Sequence, residues 1–259
     1  MSLPSHTFVL SPEHYDLLVD AIGERAETVI PIHQLRRKLC RAYVKGQPSH
    51  FSGAIVQPGG ALSAEPFGFG AAETLFELLQ NVPGWDCVLL ETPCAQALGT
   101  LFMQAGTSVR YYKSIDYALR QPVAVWKHPM VRLLGVEDLP LLAAAPPELQ
   151  GDGFENQAAL LQDGVVAAGI IDGQMVAIAH TSARTPRYAD IAVTTLEAWR
   201  NQGISTAAAS LVAARLQGTG QIPVWSTGVD NYASQRVAEK LGFLLEGEST
   251  YLIPGGGEA

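Results

Sequence analysis

Charge is scarce in this chain. Asp, Glu, Lys and Arg make up 16% of its 259 residues, against about 25% in a typical soluble domain. That excludes a solvated disordered segment or a charge-driven coiled coil, which both need far more. Cysteine is sparse as well. Cys40, Cys87 and Cys94 are odd in number and show neither C-x-x-C nor zinc-site spacing, so they read as reduced thiols of a cytoplasmic protein. Long apolar runs are missing: the longest uncharged stretch, Thr92 to Val109, is interrupted by Pro93, Gln96, Gly99, Gln104 and Gly106, which excludes a membrane span. The beginning of the chain has no basic residues, and Pro4 and Pro12 bracket a short apolar stretch, so no secretory leader is expected. There is no Walker A lysine turn, no G-x-S-x-G elbow and no Cys/His zinc pattern. The histidines at 6, 14, 33, 50, 128 and 180 are scattered, and no metal is expected.

What is present is apolar and acidic. Hydrophobic residues form 47% of the chain, enough to bury one large core or two modest ones. The net charge of −8 is uneven: residues 1–128 carry 10 basic and 11 acidic side chains, residues 129–259 carry 7 and 14. Such a surface repels phosphate backbones, so neither nucleic acid nor an anionic membrane is an expected partner. It suits a cationic substrate such as an amine, or serves only solubility.

Alternating periods organise the chain. Helical spacing covers His14 to Ile22 and Ile32 to Tyr43, and Ala54-Ile55-Val56 reads as a short strand. A helical run from Glu73 to Leu79, a strand from Trp85 to Glu91, a helix from Cys94 to Gln104 and a strand from Ser108 to Tyr112 follow. Strands alternating with helices indicate an α/β or α+β layer. Near residue 128 a second unit begins, dividing the chain into 1–128 and 129–259. There Val165–Ile171 and Met175–His180 flank Asp172-Gly173, a strong hairpin signal. Tyr188 to Thr195 is a third strand. A helix with the apolar stripe Ile204, Ala208, Leu211, Val212 and Leu216 ends at Gly218, followed by a strand at Val224–Thr227 and a helix from Ala233 to Leu241 stopped by Gly242.

The chemistry concentrates in Thr194 to Thr206, TTLEAWRNQGIST. A strand that turns directly into a helix points unpaired N–H groups and the positive end of the helix dipole at one place, a ready anion site. Gly203 would let a phosphate approach the backbone, and Arg200 could add a charge-assisted contact. By contrast, Gly68-Phe69-Gly70-Ala71-Ala72-Glu73 begins like a dinucleotide fingerprint but puts an acid where the third glycine belongs. It reads as a structural turn.

RNQGIS, followed by a strand and then by NYASQRVAEKLGF (231–243), resembles the GNAT superfamily of N-acetyltransferases. The first matches the Arg/Gln-x-x-Gly-x-Gly/Ala pyrophosphate turn and the second the later Asn-to-Leu-Gly-Phe motif, in the right order. The likeness covers residues 130–252 and is similar to the bacterial subfamily with an extra N-terminal α/β half. It implies a mixed central sheet with flanking helices in residues 129–259, preceded by a smaller, diverged α/β half without a working cofactor turn. It implies acetyl-CoA as cosubstrate and direct transfer of the acetyl group to a primary amine, of a small molecule or else of a polypeptide. In the family two strands splay apart around the pantetheine arm; here these would be Tyr188–Leu196 and Val224–Thr227. Backbone groups of Val193 and Thr195, with Thr194 between them, would hold the arm. Arg200, Asn201, Gln202, Gly203, Ile204, Ser205 and Thr206 would cradle the pyrophosphate, and Asn231 and Ser234 would touch the lower arm.

One departure matters. Many members have a Tyr seven residues after the Asn to protonate the departing thiolate, and here that position is Ala238. His180, expected at the end of a strand, has a suitable intrinsic pKa to take the amine proton. Asp190 lies near where some relatives hold a glutamate base, one residue out of phase, and should therefore face away from that site. Tyr251 is a candidate replacement acid. Glu197 is expected to be solvated. The competing expectation is a non-catalytic acyl-CoA-binding or sensing module. A homodimer is compatible with all of this.

Overall fold

A computed structural model describes residues 8–60 and 64–255. Pro4 and His6 lie outside them. The strands are β1 (Cys40–Gln47), β2 (His50–Pro58), β3 (Phe67–Gly70), β4 (Val88–Glu91), β5 (Val109–Ala118), β6 (Val131–Leu134), β7 (Val166–Ile171), β8 (Gln174–Arg184), β9 (Tyr188–Thr195), β10 (Ile222–Gly228) and β11 (Leu244–Pro254). The helices are α1 (Tyr15–Ile22), α2 (Val29–Arg36), α3 (Ala72–Leu79), α4 (Thr92–Gln104), α5 (Leu139–Ala143), α6 (Gln157–Asp163), α7 (Ile204–Gly218) and α8 (Tyr232–Lys240).

Two compact units share these elements. The first takes the residues up to Glu24, Gln34–Ser114 and everything from Glu248; the second takes Arg25–His33 and Ile115–Gly247. The expected division at 128/129 thus differs from the observed one in three places. Residues 115–128 go with the second unit, as does the short segment 25–33, while the end of β11 goes with the first. The reason is pairing: Ser249 to Leu252 lie antiparallel to Val88–Glu91, which makes the last strand part of the first sheet.

In the first unit β1, β2 and β3 are antiparallel neighbours, and β3 meets β4 in parallel through Phe67 and Leu89. Helices α3 and α4 bury Leu75, Leu78, Leu98 and Phe102 against Tyr43, Ile55, Val88 and Leu252. The helical spacing expected for Ile32 to Tyr43 is corrected here: the helix stops at Arg36 and Cys40 to Tyr43 are strand. Lys38 adopts a left-handed φ of 57°, and the Leu39 N–H reaches back to the Gln34 carbonyl at 2.9 Å. That closes the helix without a glycine, so no stop signal is visible in the sequence.

In the second unit β6, β7, β8 and β9 are antiparallel in turn, and β9 runs parallel to β10. Asp172 (φ 50°) and Gly173 (φ 78°) make the tight turn between β7 and β8, both left-handed as that hairpin requires. One face of the sheet buries Ala179, Ala189, Ile191 and Trp225 against Ala208, Val212, Ala213 and Leu216 of α7 and Ala238 and Leu241 at the end of α8. The opposite face packs Val166, Ala168 and Ile178 against Leu142, Leu149, Leu160 and Leu161. Further along it, Tyr188, Ala183, Val224 and Ala118 close against Ala26 and Val29.

Candidate functional site

Alternation along β9 sorts its side chains and its backbone. Ala189 and Ile191 enter the core beneath α7, so Asp190 and Ala192 project from the other face. The N–H of Leu196 donates to the Val176 carbonyl on β8, whereas the Arg187 carbonyl accepts from Ile222 N–H on β10. Odd-numbered residues of β9 therefore turn their backbone groups toward β10. Yet β10 pairs with β9 only through Ile222–Tyr188, Pro223–Ala189 and Val224–Asp190. Beyond Asp190 the two strands part, and the N–H and C=O groups of Ile191, Val193 and Thr195 face the gap. The Thr195 carbonyl accepts from Arg200 Nε at 3.3 Å, and its hydroxyl is buried without a hydrogen-bond partner.

At the end of the gap the chain turns into α7. Asn201 (φ 62°) and Gly203 (φ 81°) are both left-handed, a local geometry that turns successive N–H groups to one side. Gly203 caps α7 with no side-chain acceptor on its first N–H groups, and a Cβ built on it meets no atom within 4 Å. The glycine thus keeps open space in front of a helix N-terminus, where an anion is favoured. Arg200, Asn201, Gln202 and Gly203 are exposed, Ser205 is half-buried, and Ile204 and Thr206 are buried beneath the turn.

Across the gap Asn231 caps α8, its Oδ1 accepting the Ser234 N–H at 3.2 Å. The Ser234 hydroxyl accepts from the Trp225 indole N–H at 2.9 Å. Both side chains thereby fix the start of α8 beside β10. Ala238 is 0% exposed and belongs to the core under α7; it supplies no proton. Glu197 is exposed, as expected.

The face of the sheet opposite α7 is polar around the fork. Asp190, 6% exposed, stands where β9 and β10 separate. Ser182 Oγ donates to its Oδ2, while Oδ1 has no hydrogen-bond partner. Burial pushes this carboxyl up to about 7, with further raising by the charges of Asp116 and Asp152 and an opposing contribution from Ser182. Asp116 of β5 shares the face and accepts from Ser226 Oγ of β10 at 2.7 Å. His180 is not at the end of its strand: β8 continues to Arg184, past a register irregularity between Thr181 and Ala183. It is 4% exposed, its Nε2 lies 3.1 Å from Asp152 Oδ1, and its Nδ1 is unpartnered. Asp190 and His180 thus share one face on neighbouring strands. Tyr251 instead belongs to the first unit, opposite Leu89, with its ring 6.3 Å from that of Tyr112.

Sequence reasoning missed Asp152, Ser182, Asp116 and Ser226. Gly151-Asp152-Gly153 was legible only as a loop. Its signal is the pair of glycines: a Cβ on Gly153 would lie 1.7 Å from the Ser182 carbonyl, so only glycine lets this loop lie on β8. The other glycine-rich stretch is structural, as expected. A Cβ on Gly70 would lie 2.5 Å from the Ser52 carbonyl, and Ala71 alone separates β3 from α3.

Residues 151–252 match the family model of the GNAT acetyltransferases. No curated protein matches the sequence. Among solved structures, a GCN5-related N-acetyltransferase-like protein from Streptococcus suis superposes with a TM-score of 0.69 at 19% identity, covering 93% of this chain and 98% of that one. A GCN5-related N-acetyltransferase from Kribbella flavida gives 0.63 at 18%, with 92% and 98% covered. A tandem GNAT protein from the clavulanic acid biosynthesis pathway gives 0.57 at 13%, with 97% and 98% covered. The chain has the GNAT fold, and residues 151–252 match the family model of the GNAT acetyltransferases.

Proposed function

We propose that the chain is an acetyl-CoA-dependent N-acetyltransferase acting directly on a primary amine of a small molecule. The observation that carries this is the separation of β9 from β10 beyond Asp190 and Val224, closed at one end by the open helix N-terminus at Gly203. The backbone of Val193 and Thr195 holds the pantetheine arm as an added strand would. The turn from Arg200 to Thr206 holds the pyrophosphate, and the capped start of α8, with Asn231 and Ser234, borders the arm. The amine attacks the thioester carbon while an N–H facing the gap polarises its carbonyl, and the C–S bond then breaks to release CoA as its thiolate. Asp190 takes the proton: a carboxyl with a pKa near the working pH is well matched to that role, and its Oδ1 is unengaged. No cysteine is needed as an acyl carrier, and burial raises the thiol pKa values of Cys40, Cys87 and Cys94. Their free state supports a reducing, cytoplasmic location. The acidic balance of residues 129–259 supports a cationic acceptor.

Calorimetric titration with acetyl-CoA tests the cofactor site, with Gly203→Asp as control. The wild type should bind and the variant should not, since its carboxylate repels the pyrophosphate and fills the open approach. Absence of binding by the wild type sinks the reading. A second reading, a binding or sensing module, is favoured by Ala238, which cannot supply the family's usual proton. Free-thiol release in the presence of amines separates the two: a sensor binds acetyl-CoA but never exceeds background hydrolysis.

A further inference from the structure

The His180–Asp152 contact reaches from the interior to the surface. His180 is 4% exposed, and its Nδ1 points into the protein with no hydrogen-bond partner. The Asp152 side chain is 68% exposed. Asp152 also meets the same ring nitrogen twice: its carboxylate Oδ1 is 3.1 Å from Nε2, and its backbone N–H lies 3.2 Å from Nε2. These two groups want opposite states of the ring. With a proton on Nε2 the ring donates to the carboxylate; with Nε2 bare it accepts the backbone N–H. Both neutral tautomers therefore have a partner at that end. His33 also has a double contact, its Nδ1 lying 3.2 Å from both the nitrogen and the carbonyl oxygen of Arg184. There, however, Nε2 faces the Gly153 carbonyl at 2.8 Å, which keeps the proton on Nε2, whereas His180 Nδ1 has no hydrogen-bond partner to fix the tautomer.

Asp190 lies diagonally across from His180 on the same face, since His180 pairs with Ala192 and Ala183 with Asp190. Diagonal residues on one face of a regular ladder lie roughly 7–8 Å apart, a separation that a bridging water can span, and here the extra residue of β8 lies between the two pairs. Among the described residues, the buried side-chain atoms without partners on this face are Asp190 Oδ1 and His180 Nδ1, the ones such a bridge would join.

We infer that His180 and Asp152 form the proton exit of the site, carrying to solvent the proton that Asp190 removes from the amine; this rests on the acetyltransferase reading above. In the step, the Asp190 O–H bond breaks and an Nδ1–H bond forms on His180. The Nε2–H proton then passes to Asp152 Oδ1 and on to bulk water, leaving a neutral ring with Nδ1 protonated and Nε2 held by the Asp152 N–H. Exchange with water when the ring is transiently exposed, Nδ1 losing its proton as Nε2 gains one, restores the first tautomer with no net change in protons. The hydrogen bond from the His180 ring holds the Asp152 carboxyl below its ordinary pKa, against the opposing effect of desolvation and with a smaller electrostatic contribution from the same ring. It stays ionised and ready to accept. Asp152 touches neither cosubstrate nor amine, so it is a positioning and relay residue.

Asp152→Asn tests this on the surface of the full-length protein, where folding is not at risk. The amide still accepts from Nε2–H and keeps its backbone N–H, but it cannot take a proton. The expected result is a fall in kcat of tenfold or more with acceptor KM unchanged, restored in proportion to added imidazole buffer. An unchanged kcat, or a fall that buffer does not rescue, overturns the relay. A readout independent of turnover is the ring 15N spectrum of His180. The relay requires averaged shifts from two exchanging tautomers in the wild type, and a single fixed tautomer overturns it. Should the wild type turn over no amine, the acetyltransferase reading fails while the spectrum still decides the tautomer pair.

Discussion

Asp190 is a carboxyl that the fold keeps partly protonated, and that has a thermodynamic signature apart from any activity. Its pKa rises from 3.8 to about 7 on folding, so between those values the native state binds a proton that the unfolded chain has released. Stability from this group is therefore complete below pH 4, declines as pH rises to 7, and stays at its low value above. Asp190→Asn keeps an acceptor for Ser182 but removes the titration. The difference in denaturation midpoint between variant and wild type should grow in the variant's favour from pH 4 to pH 7 and then level off. The activity of the variant should lose the inflection near neutrality at the same time. A difference that is flat with pH would contradict the buried environment assigned to this side chain. The position of Asp190 was legible in the sequence but not its consequence. Alternation turns it away from the expected base position, whereas the fork of β9 and β10, which sets it at the mouth of the gap, and the neighbouring Ser182, Asp116 and Asp152 depend on pairings that only the sheet supplies.

Among the elements, β9, α7 and their connection were the most readable, because a strand period of two and a helical stripe meet at Gly203, where each residue type agrees with its backbone. Helix α2 was the least readable, since its end is closed by left-handed Lys38 rather than by glycine, asparagine or proline. Helix α8 combines both cases. Asn231 was assigned to the cofactor, and its cap of Ser234 N–H gives it a structural role as well. Asn231→Ala should cost about 1 kcal/mol in urea unfolding, and Asn231→Asp, which preserves the acceptor, should recover most of it. If both variants unfold like the wild type, the cap does not hold α8. If Asn231→Ala alone weakens acetyl-CoA binding, the capped start of the helix is what positions the lower arm.

Taken as a whole molecule, the chain repeats one order of elements: β3, α3, β4, α4, β5 in the first instance and β9, α7, β10, α8, β11 in the second. Each instance sets an antiparallel pair beside a parallel one. No repeat could be claimed from the sequence because the shared feature is topology, and the proposed pyrophosphate turn belongs to the second instance. The boundary drawn at 128/129 also cuts through the second unit. A fragment of residues 129–259 lacks Ala26, Val29 and Ala118, which close over Tyr188, Ala183 and Val224. It should bind a hydrophobic dye, lack near-ultraviolet dichroism and unfold without cooperativity; a sharp two-state transition would show that the segments outside it are dispensable.

The allotment of the last strand has a consequence in time. A chain leaves the ribosome from its N-terminus, and domains generally fold as they emerge. Here the unit that is made first is missing a strand until β11 arrives, since Leu252 completes its core and lies next to Val88. The early portion must therefore wait, partly formed and with an open sheet edge, for the whole of the later portion to be translated. Nascent chains halted at Gly247 should be protease-sensitive throughout residues 40–104 and become resistant only when β11 is released.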